Sequence, residues 1–67
     1  MKKMYFKVNF MYVKDGAKLE SYGFVSAYSA ETAKQLALSE LSSTHRNVEI
    51  IKCIQVSKEY YKSAMLS

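Results

Sequence analysis

Residues 4–28 read MYFKVNFMYVK-DG-AKLESYGFVSAY. Asp15-Gly16 is a two-residue turn signal between two alternating runs, which predicts a β-hairpin. With Lys14 facing Ala17, the register follows by counting. Val13 meets Lys18, Tyr12 meets Leu19, Met11 meets Glu20, Phe10 meets Ser21 and Asn9 meets Tyr22. Val8 then meets Gly23, Lys7 meets Phe24, Phe6 meets Val25, Tyr5 meets Ser26 and Met4 meets Ala27. Side chains alternate between the faces of a strand. One face therefore gathers Met4, Phe6, Val8, Phe10 and Tyr12 opposite Ala27, Val25, Gly23, Ser21 and Leu19, and reads as a core. The other gathers Tyr5, Lys7, Asn9, Met11, Lys18, Glu20, Tyr22 and Phe24, which is too aromatic for an ordinary solvated face.

Beyond the hairpin, Ser29 is a good helix N-cap and Glu31 suits the first turn. Ala30, Ala33, Leu36, Ala37 and Leu41 recur at helical spacing, with Leu38 at the edge of the stripe. Alanines would lie against the small residues Ser21, Gly23 and Ala27, while Phe6, Phe10 and Leu36 fill the flanks. Ser42-Ser43-Thr44 ends the helix and His45-Arg46-Asn47 makes the turn. Val48 to Val56 reads as a third strand. Its even positions, Val48, Ile50, Lys52, Ile54 and Val56, are assigned inward, with a bulge as the device that would switch faces partway. Ile51 and Cys53 would then face outward. A helix reverses the chain, so this strand runs parallel to the second and pairs antiparallel with the first. The expected fold is α+β: a three-stranded antiparallel sheet, order 2-1-3, with one helix on one face. Ser57 to Ser67 either forms a short helix holding Tyr60, Tyr61, Ala64 and Met65, or extends the strand and frays.

Sixty-seven residues make a single domain spanning 1–67. A chain this short buries only about 60% of its unfolded surface. The single cysteine, Cys53, allows no internal disulfide and no zinc site and suits a reducing cytosol. No apolar run approaches the ~20 residues of a membrane span, and Met1-Lys2-Lys3 is not followed by the apolar stretch of a signal peptide. The net charge is +4 and the pI about 9.3. Nine of the ten basic residues are lysines and Arg46 is the exception. Scattered lysines suit solubility or diffuse attraction to polyanions, whereas bidentate reading of phosphate or guanine favours arginine.

Catalysis is poorly supported. Asp15 is explained by its turn, His45 falls in a polar loop, and Cys53 reads as a small hydrophobe in mid-strand. The glutamates are spread over different elements, with no carboxylate pair or metal cluster, and there is no glycine-rich phosphate loop. The expectation is a non-enzyme with no cofactor, no metal and no catalytic residue.

The outer sheet face is the candidate site, with Tyr5, Lys7, Asn9, Met11, Lys18, Tyr22 and Phe24 as its residues. Contiguous exposed aromatics mark contact surfaces. Three covers are open: the C-terminal segment folding back, a second copy in a homodimer, or a different partner. That partner is a protein, docked on the face or on the edge of the second strand. The alternative is a nucleic acid, with Tyr5, Tyr22 and Phe24 stacking bases and Lys7 and Lys18 touching phosphates. On this reading Tyr22→Ala with Phe24→Ala abolishes binding and leaves the fold intact.

The stretch Gly23 to Ala37, with Val48-Glu49-Ile50-Ile51-Lys52-Cys53, resembles small bacteriophage proteins. The likeness is to a podophage inhibitor of bacterial RNA polymerase, and in general plan to some anti-CRISPR proteins. It covers roughly residues 5 to 56, mostly as pattern. The final strand of that inhibitor carries two important arginines. Lys52 and Ile54 stand at the matching positions, so one positive charge is kept and one lost, and Lys52 joins the candidate site. The resemblance implies a small phage protein that inhibits a host protein by surface contact in the bacterial host cytoplasm, as a host-takeover or anti-defence factor.

Overall fold

The computed structural model describes residues 2–66; Met1 and Ser67, at the two ends of the expected single domain, lie outside the described residues. The element order is β1 (Met4–Lys14), β2 (Ala17–Ala27), α1 (Ala30–Ser42), β3 (Arg46–Val56) and α2 (Lys58–Leu66). The three strands form one antiparallel sheet of order β2-β1-β3.

The β1–β2 register is the one the turn dictates, from Lys14↔Ala17 to Met4↔Ala27. Asp15 and Gly16 have φ of 52° and 80°. Two positive φ values are the signature of a type I′ turn, whose twist matches that of the strands it joins. The core-facing row follows. Phe6, Val8, Phe10 and Ala27 are buried, together with Ala33 and Ala37 of α1. Phe6, Ala27 and Ala33 form the central cluster, with Met4, Val25 and Cys53 packed against it.

Ser29 caps α1, its hydroxyl oxygen accepting from the Thr32 N–H at 3.2 Å. At the other end, the Ser43 N–H and hydroxyl both donate to the Glu40 carbonyl, while the Thr44 and His45 N–H groups donate to that of Leu41. Ala33 meets Ala27 as their sizes suggest, but the small-on-small contact stops there. A Cβ built on Gly23 would meet nothing within 4 Å, Ser21 is exposed, and Leu36 is 45% exposed rather than filling a flank. Length explains this. Thirteen helical residues span about 20 Å, whereas eleven strand residues span about 36 Å. The helix also lies toward β3, where the Ala30 carbonyl is 4.0 Å from Cys53 Sγ. The outer half of β2 is outside its footprint.

β3 departs most from expectation. It starts at Arg46, so Arg46 and Asn47 belong to the strand and the turn is Ser43 to His45. Asn9 pairs with Lys52 but Phe10 pairs with Ile50, which leaves Ile51 as an extra residue. That bulge exchanges the faces of everything after it. Val48 and Ile50 lie on the α1 side, as expected for even positions. Lys52, Ile54 and Val56 do not: they pair with Asn9, Lys7 and Tyr5 and share the outer face. Cys53, expected outward, pairs with Val8 and packs on the core. A second register shift lies between Met11 and Val13, where Asn47 takes a φ of 52°. Asparagine tolerates this left-handed backbone better than most residues.

The tail is helical. Ser57 begins it, its hydroxyl oxygen accepting from the Tyr60 N–H at 3.1 Å and its carbonyl from the Tyr61 N–H at 3.0 Å. The sheet thus carries a helix on each face, α1 over the core and α2 over one end of the outer face.

Candidate functional site: the outer sheet face

The register orders the outer face into cross-strand rows. Ser26, Tyr5 and Val56 form the first, and Phe24, Lys7 and Ile54 the second. Tyr22, Asn9 and Lys52 come next, then Glu20, Met11 and Glu49, then Lys18, Val13 and Arg46. All eight residues expected at the site, Tyr5, Lys7, Asn9, Met11, Lys18, Tyr22, Phe24 and Lys52, therefore share one face. They do not share one environment.

The first two rows are where α2 docks. The Tyr61 ring lies 4.6 Å from that of Tyr5, and the Phe24 ring is 5.8 Å from Tyr60 and 6.3 Å from Tyr61. Tyr5 and Phe24 are half-buried as a result. The C-terminal segment is thus the cover for this end of the face. No residue of α2 is fully buried. A nine-residue helix is marginal alone, so it persists through these ring contacts.

The remaining rows stay open. Tyr22 is 59% exposed and stands edge-on to Phe24, with centroids 5.9 Å apart and planes at 90°. Lys7 Nζ sits 4.6 Å from the Tyr22 ring centroid. Such a contact is worth about 0.5–1 kcal/mol at an exposed site and holds the ring in place. The β3 end of the second row is open too: Ile54, beside Lys7, is 39% exposed and joins this surface. The sequence reading missed it, although the doubled Ile50-Ile51 breaks the alternation and is the visible sign of a bulge. Charge is banded across the open rows: Lys52, then Glu20 and Glu49 on either side of Met11, then Lys18 and Arg46.

Elsewhere, His45 is half-buried rather than free in a polar loop, with its ring 4.5 Å from Tyr12 and 5.8 Å from Phe10. Burial pushes the Cys53 thiol pKa up, and the charge of Lys34 opposes this only in part. Among the described residues no group of three or more His, Cys, Asp or Glu side chains is placed to hold a metal ion. No helix among them is long and apolar enough to cross a membrane.

No protein-family model, curated protein or solved structure matches this chain.

Proposed function

We propose that this chain is a small protein-binding domain that acts by surface contact rather than by catalysis, through the open rows of the outer sheet face. One observation carries the reading. Exposed Tyr22 and half-buried Met11 form an apolar centre whose nearest flanking charges include the carboxylates Glu20 and Glu49. Aromatic and methionine side chains ringed by charges of both signs suit a protein surface. Two carboxylates in the middle of the face repel a phosphate backbone, which weighs against a base-stacking surface. The resemblance to small phage inhibitors supports a bacterial host protein as the partner, and inhibition of that protein as the effect. Lys7, Asn9, Met11, Lys18, Tyr22, Lys52 and Ile54 are the contact residues on this reading. Tyr5 and Phe24 support α2.

The test is affinity capture from bacterial lysate, with and without nuclease, using the wild-type chain and Tyr22→Asp side by side. The expected result is one dominant protein that survives nuclease and elevated salt and is lost with Tyr22→Asp. Capture that nuclease abolishes, or that Tyr22→Asp leaves unchanged, overturns the proposal.

A further inference from the structure

We propose that a second site, the notch between the hairpin tip and the α1–β3 loop, binds a small phosphomonoester. The notch is open to solvent, offers about 580 Å³ and is lined by Tyr12, Lys14, Asp15, Thr44, His45 and Arg46 among others. It lies at the opposite end of the sheet from α2 and gathers the only arginine and the only histidine of the chain. Lys14, His45 and Arg46, the last from the end row of the outer face, line it together with one carboxylate, Asp15. Among the described residues neither Lys14 nor Arg46 is ion-paired within 4.0 Å.

The imidazole is held in place. Its ring packs against Tyr12 and Phe10, and Nδ1 lies 2.8 Å from Thr44 Oγ1, which leaves Nε2 as the free nitrogen. In the last turn of α1, two carbonyls are already hydrogen-bonded. The Glu40 carbonyl is taken by Ser43, and that of Leu41 by Thr44 and His45.

The ligand class follows from the charge and the shape. A phosphomonoester carries about −1.5 to −2 at neutral pH and offers three strong acceptor oxygens. An arginine fork and a lysine point charge match it better than they match a single carboxylate. The notch is larger than a phosphate, so the ester's organic group has room along the Tyr12 wall.

Titration of the ¹⁵N-labelled protein with adenosine 5′-monophosphate, inorganic phosphate and acetate tests this. Both phosphates are expected to saturate in the range of about 1–10 mM, with shifts confined to the amides of Asp15, Gly16, Thr44, His45 and Arg46. Acetate should bind about tenfold more weakly. Lys14→Ala with Arg46→Ala should weaken phosphate binding by about tenfold or more while the remaining amide pattern is unchanged. An equal response to acetate, an unaffected double variant, or shifts scattered over Lys2, Lys34, Lys58 and Lys62 would overturn the proposal. A short oligothymidylate that binds more tightly than the monophosphate, with shifts spreading to Lys18 and Lys52, would overturn it in favour of a nucleic-acid backbone.

Discussion

The Tyr61 ring rests on the Tyr5 ring, centroids 4.6 Å apart and planes inclined at 45°. This contact, with Phe24 beside it, ties α2 to the sheet. Tyr61→Ala removes an aromatic pair worth about 0.5–1.5 kcal/mol beyond its buried area. The expected loss is about 1–2 kcal/mol in urea unfolding. Hydrogen exchange should show α2 amides losing protection while those of Val8 and Phe10 keep theirs. Equal loss of protection throughout would mean that α2 is not a separable unit.

The two glycines of the chain should respond in opposite directions. Gly16 holds a φ of 80° in the type I′ turn, where a Cβ is strained whatever the space around it. Gly16→Ala should cost about 1–2 kcal/mol, the penalty of left-handed backbone for an L-residue. For a domain of this size each kcal/mol lowers the melting temperature by about 4–8 °C. Gly23 has open space where its Cβ would go. Gly23→Ala should be neutral or stabilise by up to about 1 kcal/mol, because it restricts the unfolded chain. A destabilised Gly23→Ala variant would mean that α1 lies against Gly23 and leaves no room for a Cβ there.

Cys53 makes stability pH-dependent at the alkaline end. Burial raises its pKa above the ordinary value of 9.0. The folded protein therefore holds the thiol proton more tightly than the unfolded chain does. The stabilisation is fully present below 9.0 and is lost as pH rises through the higher folded value. Cys53→Ala should thus flatten the fall in stability above this range. Since the thiolate is the nucleophile, alkylation at about pH 8 should be slower in the folded protein than in urea. Lys34→Ala, which removes the opposing charge, should slow it further. Faster labelling of Lys34→Ala would contradict the electrostatic account.

Much of the fold was legible because its signals are local. Asp15-Gly16 determined a register of eleven pairs, and Ser29 marked the start of α1. Those signals act within a few residues and need no partner to be read. The facing of β3 was not legible in the same way, because a bulge is decided by what the strand packs against. Cys53 prefers the core beside Val8, and Lys52 prefers solvent beside Asn9; only an extra residue at Ile51 satisfies both. Gly23 and Leu36 misled for a different reason. Residue size suggests where a helix could approach, but its length and lateral position decide where it does. The outer face was readable as a surface, whereas its division into covered and open halves depended on Tyr60 and Tyr61 from the far end of the chain.

That division separates two side chains that the sequence treats alike. Tyr22 and Phe24 are two residues apart on one face and touch edge to ring. Phe24 is half-buried beneath Tyr60 and Tyr61, whereas Tyr22 is mostly exposed and touches Lys7. The double alanine variant should therefore not leave the fold intact. Phe24→Ala should lower stability by about 2–4 kcal/mol, less than a fully buried aromatic because burial is partial, and it should loosen α2. Tyr22→Ala should change stability by less than about 1 kcal/mol. If the open rows are the docking surface, Tyr22→Ala alone weakens partner binding by about tenfold or more, the scale of an interface hot spot. Binding that follows Phe24→Ala but ignores Tyr22→Ala would instead move the contact to α2 and the rows beneath it.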